Sequence, residues 1–258
     1  MITSGAMLSV CGFAITVICL TLAGVSGDKI IDGTEAVPHS RPYMAFLMVK
    51  EKTKSFICGG SLIRPNVVLT AAHCKGESFI LILGAHNFSK NEKSQQVIPV
   101  QEMIPHEKFE EKTLKNDIML LKLKYNATIT NEVKVINLPS KDDHDFKPGS
   151  ICLVAGWGRT ATNGRVSNTL REVNVKIQEY CDSTSLICAR GSDRKGTCSG
   201  DSGGPLVCQG RNNVPTAVGI VSYASSESCE NPQRSNVYIK VSAHLRWIES
   251  KIAISSSA

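Results

Sequence analysis

The stretch Gly200-Asp201-Ser202-Gly203-Gly204-Pro205 decides between the folds open to this chain. Glycines on both sides of Ser202 let the backbone turn sharply and come close to a bound molecule. A serine hydroxyl is left exposed, with neighbouring N–H groups free to face a developing oxyanion. The segment also satisfies Gly-x-Ser-x-Gly, the nucleophile elbow of α/β-hydrolases, which needs a strand before it and a helix after it. Gly203, Gly204 and Pro205 oppose that helix. Chain order separates the two further, because in that elbow the acid and the histidine follow the serine, whereas here the candidates precede it.

Those candidates are His73, in Leu69-Thr70-Ala71-Ala72-His73-Cys74, and Asp117, in Asn116-Asp117-Ile118-Met119-Leu120-Leu121. His73 closes an apolar strand and is pinned by an adjacent cysteine, which makes it the best held of the six histidines. Asp117 enters a nearly continuous apolar strand, where a carboxylate is costly unless paired. Taken singly, these are a structural histidine and a capping aspartate. Taken together, they supply a base and an acid for Ser202.

Outward from these segments, strand-length apolar runs recur between turn residues: Tyr43 to Val49, Val67 to Ala71, Phe79 to Leu83, Ile118 to Leu123, Ile151 to Val154, Leu206 to Val207, Val218 to Tyr223 and Val237 to Val241. Gly, Pro and Asn separate them, so the chain reads as an all-β barrel or sandwich. From Ser242, a candidate N-cap, the spacing of Ala243, Leu245, Trp247, Ile248 and Ile252 predicts a terminal helix with one apolar face. The polar stretch between Leu138 and Gly149 reads as a linker between two halves.

Residues Leu8 to Leu22 resemble a cleavable signal peptide ending near Gly27. Ten cysteines less Cys11 and Cys19 leave eight beyond it, an even number and a high density that favour an oxidising compartment but leave the pairing open. No Cys-x-x-Cys pair occurs, which argues against zinc, and no metal or other cofactor is expected. Asn87-Phe88-Ser89 and Asn126-Ala127-Thr128 are glycosylation candidates. From Ile30 the chain carries 28 basic against 22 acidic residues. They are scattered, so the basic excess reads first as a solvated surface and second as a patch for an anionic glycan or proteoglycan. Nucleic acid is not an expected partner, and no unpaired cysteine suggests a covalent dimer, so a monomer is expected.

In these three motifs and their order, the chain from Ile30 onward resembles the chymotrypsin-like serine proteases. The resemblance implies two six-stranded antiparallel β-barrels with a C-terminal α-helix, the first spanning about 30–140 and the second about 149–258. It implies His73 as general base, Asp117 as orienting acid and Ser202 as nucleophile, with an oxyanion hole from the N–H groups of Gly200 and Ser202. Cys58-Gly59-Gly60-Ser61-Leu62, Ala155-Gly156-Trp157-Gly158 and Val237-Tyr238 fit the same frame. The implied disulfides are Cys58 with Cys74, Cys152 with Cys208, Cys181 with Cys188, and Cys198 with Cys229. Lys29-Ile30-Ile31-Asp32-Gly33 resembles the family's activation junction: residues 1–27 would be the signal, 28–29 an activation dipeptide and 30–258 the peptidase. Cleavage after Lys29 would free the Ile30 amine to pair with Asp201.

The resemblance also places Gly196, Ser222, Tyr223, Ala224 and Asn236 around the primary substrate pocket. Gly196 stands where trypsin-like members carry an aspartate, so a Lys or Arg would be desolvated unpaired there. A medium-sized apolar or uncharged polar residue is expected before the cleaved bond, with Ser222 to Ala224 pairing to extended substrate. His39-Ser40-Arg41-Pro42-Tyr43-Met44-Ala45 resembles the granzyme and mast-cell protease branch, which implies protein or peptide substrates, serpin-type inhibitors, and secretion with storage in granules. The short Cys181–Cys188 loop departs from the pattern. The alternative function is a catalytically silent glycan-binding protein on the same fold, and relatives of that kind lose triad residues that are retained here.

Overall fold

The computed structural model describes residues 33–140, 146–210 and 213–255. The apolar leader and the junction at Lys29 and Ile30 lie outside the described residues. The apolar runs become strands because β-branched and aromatic side chains suit a half-buried pleated surface, while the turn residues between them interrupt any helix. The strands form two antiparallel sheets.

The first sheet runs, edge to edge, Gln96–Val97, Ser78–Leu83, Met44–Lys50, Ser55–Arg64, Val67–Thr70, Met119–Leu123 and Val100–Pro105. The second runs Arg171–Ile177, Leu186–Arg190, Asn236–Lys240, Pro215–Ala224, Pro205–Gln209 and Ile151–Gly156, and the last of these pairs back with the first to close a six-stranded barrel. The fold is therefore all-β with two barrel-like units, of which the first stays an open half-barrel. Thr34–Glu35 pairs with Arg171–Ile177, so the earliest described strand joins the sheet of the second half.

The buried rings of Phe46 and Trp157 tie the halves together. Phe46 of the first sheet stacks on Phe88 at 4.3 Å and meets Trp157 edge-on at 5.6 Å, and the Trp157 indole donates to the His86 carbonyl at 3.0 Å. Full burial of each such side chain is worth about 1.5–3 kcal/mol.

The terminal helix spans Leu245–Ser255, preceded by a 3₁₀ turn at Val241–His244. Ser242 lies inside that turn instead of capping a helix, and no side chain caps the turn at Lys240. The chain tightens there because Val241 and Leu245, four residues apart, are both buried against the body together with Ile248. On the outer side, the Trp247 indole donates to Glu107 at 2.8 Å and Lys251 pairs with the same carboxylate. Lys251 and the hydrogen bonds hold the Glu107 pKa down at about 2.

Candidate active site

His73 sits in a 3₁₀ turn, Ala72–Cys74, directly after the strand Val67–Thr70. Cys74 is bonded to Cys58 of the neighbouring strand, so the turn is held covalently as well as by the hydrogen bond from the Cys74 N–H to the Ala71 carbonyl. Asp117 precedes the strand Met119–Leu123, and Asn116 before it adopts a left-handed φ of 54° that folds the chain sharply into the sheet. The Asp117 carboxylate is fully buried. It accepts the His73 backbone N–H at 2.8 Å and the His73 Nδ1–H at 2.6 Å. A third donor comes from the other half, where the Ser222 hydroxyl reaches Asp117 Oδ2 at 2.6 Å. An ionised carboxylate only accepts, so its bond fixes the proton of neutral His73 on Nδ1 and leaves Nε2 as the basic nitrogen.

Ser202 lies on a loop between Cys198 and the strand Pro205–Gln209. Gly200 and Gly203 take φ of 101° and 78°, conformations that a side chain resists. At Gly203 an added Cβ would also lie 2.1 Å from the Thr70 hydroxyl and 2.6 Å from the Gly59 carbonyl oxygen. That close approach lets the Gly59 N–H donate to the Ser202 carbonyl at 2.7 Å, while the Gly203 N–H donates to Val221 at 2.8 Å. The serine loop is thus stitched to a first-sheet strand one residue from Cys58, which is bonded to the neighbour of His73. The N–H groups of Gly200 and Ser202 donate to no group among the described residues.

Asp201 turns inward and is fully buried. Its Oδ1 accepts the Gly158 N–H at 2.8 Å and its Oδ2 the Cys198 N–H at 2.9 Å. Gly156 and Gly158 make the space, since a Cβ on either would lie within 2.2–2.5 Å of the carboxyl group. Burial pushes the Asp201 pKa up to about 6, against the opposing pull of those two N–H groups and the Arg234 charge.

The expected pocket residues fall into two sets. Tyr223 and Ala224 end the strand Pro215–Ala224, half-buried, with Ala224 paired to Asn236. Ser222, on the same strand, donates its hydroxyl to Asp117 Oδ2. Gly196 and Asn236 are buried together, with an added Cβ at Gly196 only 2.8 Å from Asn236 Nδ2. Two further residues meet them that the motifs do not name. Thr197 donates its hydroxyl to Asn236 Oδ1 at 2.8 Å, and Arg234 donates from Nη1 to the same oxygen at 2.8 Å.

The disulfides Cys58–Cys74, Cys152–Cys208, Cys181–Cys188 and Cys198–Cys229 are all formed. Among the described residues, one group of His, Cys, Asp and Glu has metal-ligating proximity, Cys58, His73 and Cys74, and its two sulfurs are committed to a disulfide. Of the two sequons, Asn126 is exposed, whereas the half-buried Asn87 uses its side-chain oxygen to accept from the Ser89 N–H at 3.0 Å and hydroxyl at 2.7 Å.

Comparison with known proteins gives the same frame. The trypsin family profile matches residues 30–248. Duodenase-1 of Bos taurus is 47% identical over 241 residues, covering 90% of this chain and 92% of that protein. Granzyme B(G,H) of Mus musculus is 46% identical over 249 residues, covering 91% and 97%. The solved structure of GrC superposes with a TM-score of 0.78 at 40% identity, covering 87% of this chain and all of that one.

Proposed function

Because the chain belongs to the trypsin family, is related to granzymes and mast cell proteases, and is a serine endopeptidase, we propose that it cleaves peptide bonds through an acyl-enzyme on Ser202. His73 Nε2 takes the proton from the Ser202 hydroxyl as it attacks the scissile carbonyl, then gives it to the leaving amine. Asp117 holds the imidazole in that tautomer and offsets the imidazolium charge. The unengaged N–H groups of Gly200 and Ser202 stabilise the oxyanion. The observation that carries this reading is the pair of hydrogen bonds from His73 to a fully buried Asp117.

Activation is part of the same proposal. Cleavage after Lys29 frees the Ile30 ammonium to pair with Asp201, a buried carboxylate whose described partners are two neutral N–H groups. Gly196 offers no carboxylate, so a Lys or Arg before the cleaved bond is disfavoured. The four disulfides support an exported protein, and the named relatives support storage in granules. Among the described residues no helix is long and apolar enough to cross a membrane. Serpin-type inhibitors and an anionic proteoglycan are the proposed partners, the latter on the net charge of +6.

Protein processed to start at Ile30 should be labelled on Ser202 by an active-site phosphonate, and Ser202→Ala should abolish the label. Folded, processed protein that takes no label refutes the mechanism.

A further inference from the structure

The residues around Gly196 and Asn236 are wired in one direction. Arg234 lies two residues before the strand Asn236–Lys240, and its guanidinium meets the side chain of Asn236 at the strand's first residue. Arg234 is half-buried, and its Nε donates to the Ser226 carbonyl at 3.0 Å. Its Nη1 donates both to the Thr197 carbonyl and, at 2.8 Å, to Asn236 Oδ1. The Thr197 hydroxyl donates to the same Oδ1 at 2.8 Å.

A guanidinium has donors and no acceptor, so the Asn236 amide cannot turn over without setting its NH₂ against N–H groups. The oxygen is therefore held toward Arg234, and Nδ2 is turned toward Gly196. Among the described residues, Nδ2 donates to nothing and Arg234 makes no ion pair. The two acids whose fields reach Arg234 are Asp201 and Glu230. Both are engaged, Asp201 with the N–H groups of Gly158 and Cys198, and Glu230 with Thr162 and Ser228. Behind them the fully buried Tyr238 hydroxyl has no partner. Next to Gly196 the structure thus sets the Asn236 amide donor, with the Arg234 charge behind it.

We propose that the primary substrate pocket selects a side chain ending in a hydrogen-bond acceptor, an amide or a carboxylate, before the cleaved bond, and that Arg234 is the positioning residue that enforces the choice through Asn236. The inference deepens the peptidase reading and rests on it, including the assignment of Gly196 and Asn236 to the pocket. An apolar side chain would leave the Asn236 N–H groups desolvated without an acceptor, and a lysine would bring donors and charge against donors and charge. An acceptor satisfies those N–H groups, and a carboxylate also offsets the charge behind them.

The test uses the full chain processed to Ile30, with active centres counted by phosphonate titration, and peptides that differ only in the residue before the cleaved bond. Gln and Glu are compared with the similarly sized Met, Asn and Asp with Leu, and Lys is included. The expected result is a kcat/KM at least about tenfold higher for the acceptor member of each pair; the Gln against Glu arm tells whether the amide or the carboxylate is preferred. Arg234→Met should draw the Gln/Met and Glu/Met ratios toward one, and Arg234→Lys should recover part of the difference. If Arg234→Met fails to fold, Asn236→Ser should lower the same ratios. Wild-type protein that takes no phosphonate overturns the peptidase reading and this inference with it. Titratable enzyme that prefers Met, Leu or Lys, or whose ratios ignore both Arg234→Met and Asn236→Ser, overturns the inference alone.

Discussion

Asp117 and Asp201 are both fully buried carboxylates at the junction of the two halves, and they are satisfied in different ways. Asp117 accepts from a backbone N–H, an imidazole and a hydroxyl, the last supplied across the junction by Ser222. Asp201 accepts from two backbone N–H groups, and burial holds it near a pKa of 6. The His73–Asp117 unit is complete once the chain has folded. The loop bearing Ser202 contains a carboxylate with room for a stronger partner, the condition under which an ammonium delivered after folding can alter that loop and leave the other unit untouched.

The largest effect expected on this contrast comes from Asp117→Asn. An amide keeps the shape but can hold the imidazole in the wrong tautomer, and kcat should fall on the order of 10⁴-fold with phosphonate labelling slowed in parallel. A fall below tenfold would mean that His73 is oriented by something else.

Asp201 is probed through pH. Its folded pKa of about 6 lies above the 3.8 of an ordinary aspartate, so between those values the folded state keeps a proton that the unfolded state has lost. Stability of the uncleaved chain, kept so by Lys29→Gln, should therefore be greatest from this group at low pH and decline as pH rises from about 4 to 6, by at most roughly 3 kcal/mol. Urea unfolding at pH 4.5 and 7.5 measures the decline. Asp201→Asn should remove this contribution to the slope whatever its absolute stability. In the processed chain the Ile30 ammonium should reverse the sign. Equal slopes in uncleaved wild type and Asp201→Asn would show that the carboxylate is not strained by burial.

Ser222→Ala tests whether the second half supports the first. Deleting a hydrogen bond to a charged group costs about 1.5–3 kcal/mol, so kcat should drop on the order of tenfold while KM for a short peptide changes little. An effect on KM alone would return Ser222 to a substrate-contacting role.

What could be read before folding divides along the same line. His73, Asp117 and Ser202 stand in short local motifs, and seven of the eight apolar runs locate a strand within a residue or two of its observed ends. Six strands stayed hidden, the two-residue Thr34–Glu35 and Gln96–Val97, the half-exposed Val100–Pro105, and three more for identifiable reasons. Ser55–Arg64 carries Gly59 and Gly60, which look like turn residues but serve close approach: an added Cβ at Gly59 would be 3.0 Å from the Gly204 Cα. Arg171–Ile177 alternates polar and apolar side chains, a weaker signal than a continuous run. Leu186–Arg190 is short and ends in Arg190. The Thr197–Asn236–Arg234 cluster could not be read locally, because its bonds join residues up to 39 positions apart, and only the folded loop says which oxygen each donor meets. The start of the terminal helix shifted because burial of Val241 outweighed the capping preference of Ser242.

The smallest expected effect lies far from the junction, at Glu107, and its sign opposes that of Asp201. Lys251 and Trp247 lower the Glu107 pKa to about 2, so whatever it contributes is present above the ordinary glutamate range and lost as pH falls toward 2. The carboxylate is more than half exposed, so water and salt screen the pair and the contribution should be below about 1 kcal/mol. Glu107→Gln, which keeps an acceptor for the indole, should lower the melting temperature by about 2 °C or less at neutral pH and leave catalysis unchanged. A substantial loss of activity would mean that the terminal helix, through His244 and its contact with Asn116 beside Asp117, helps to hold the catalytic acid, and the first half would then be less self-contained than its hydrogen bonds indicate.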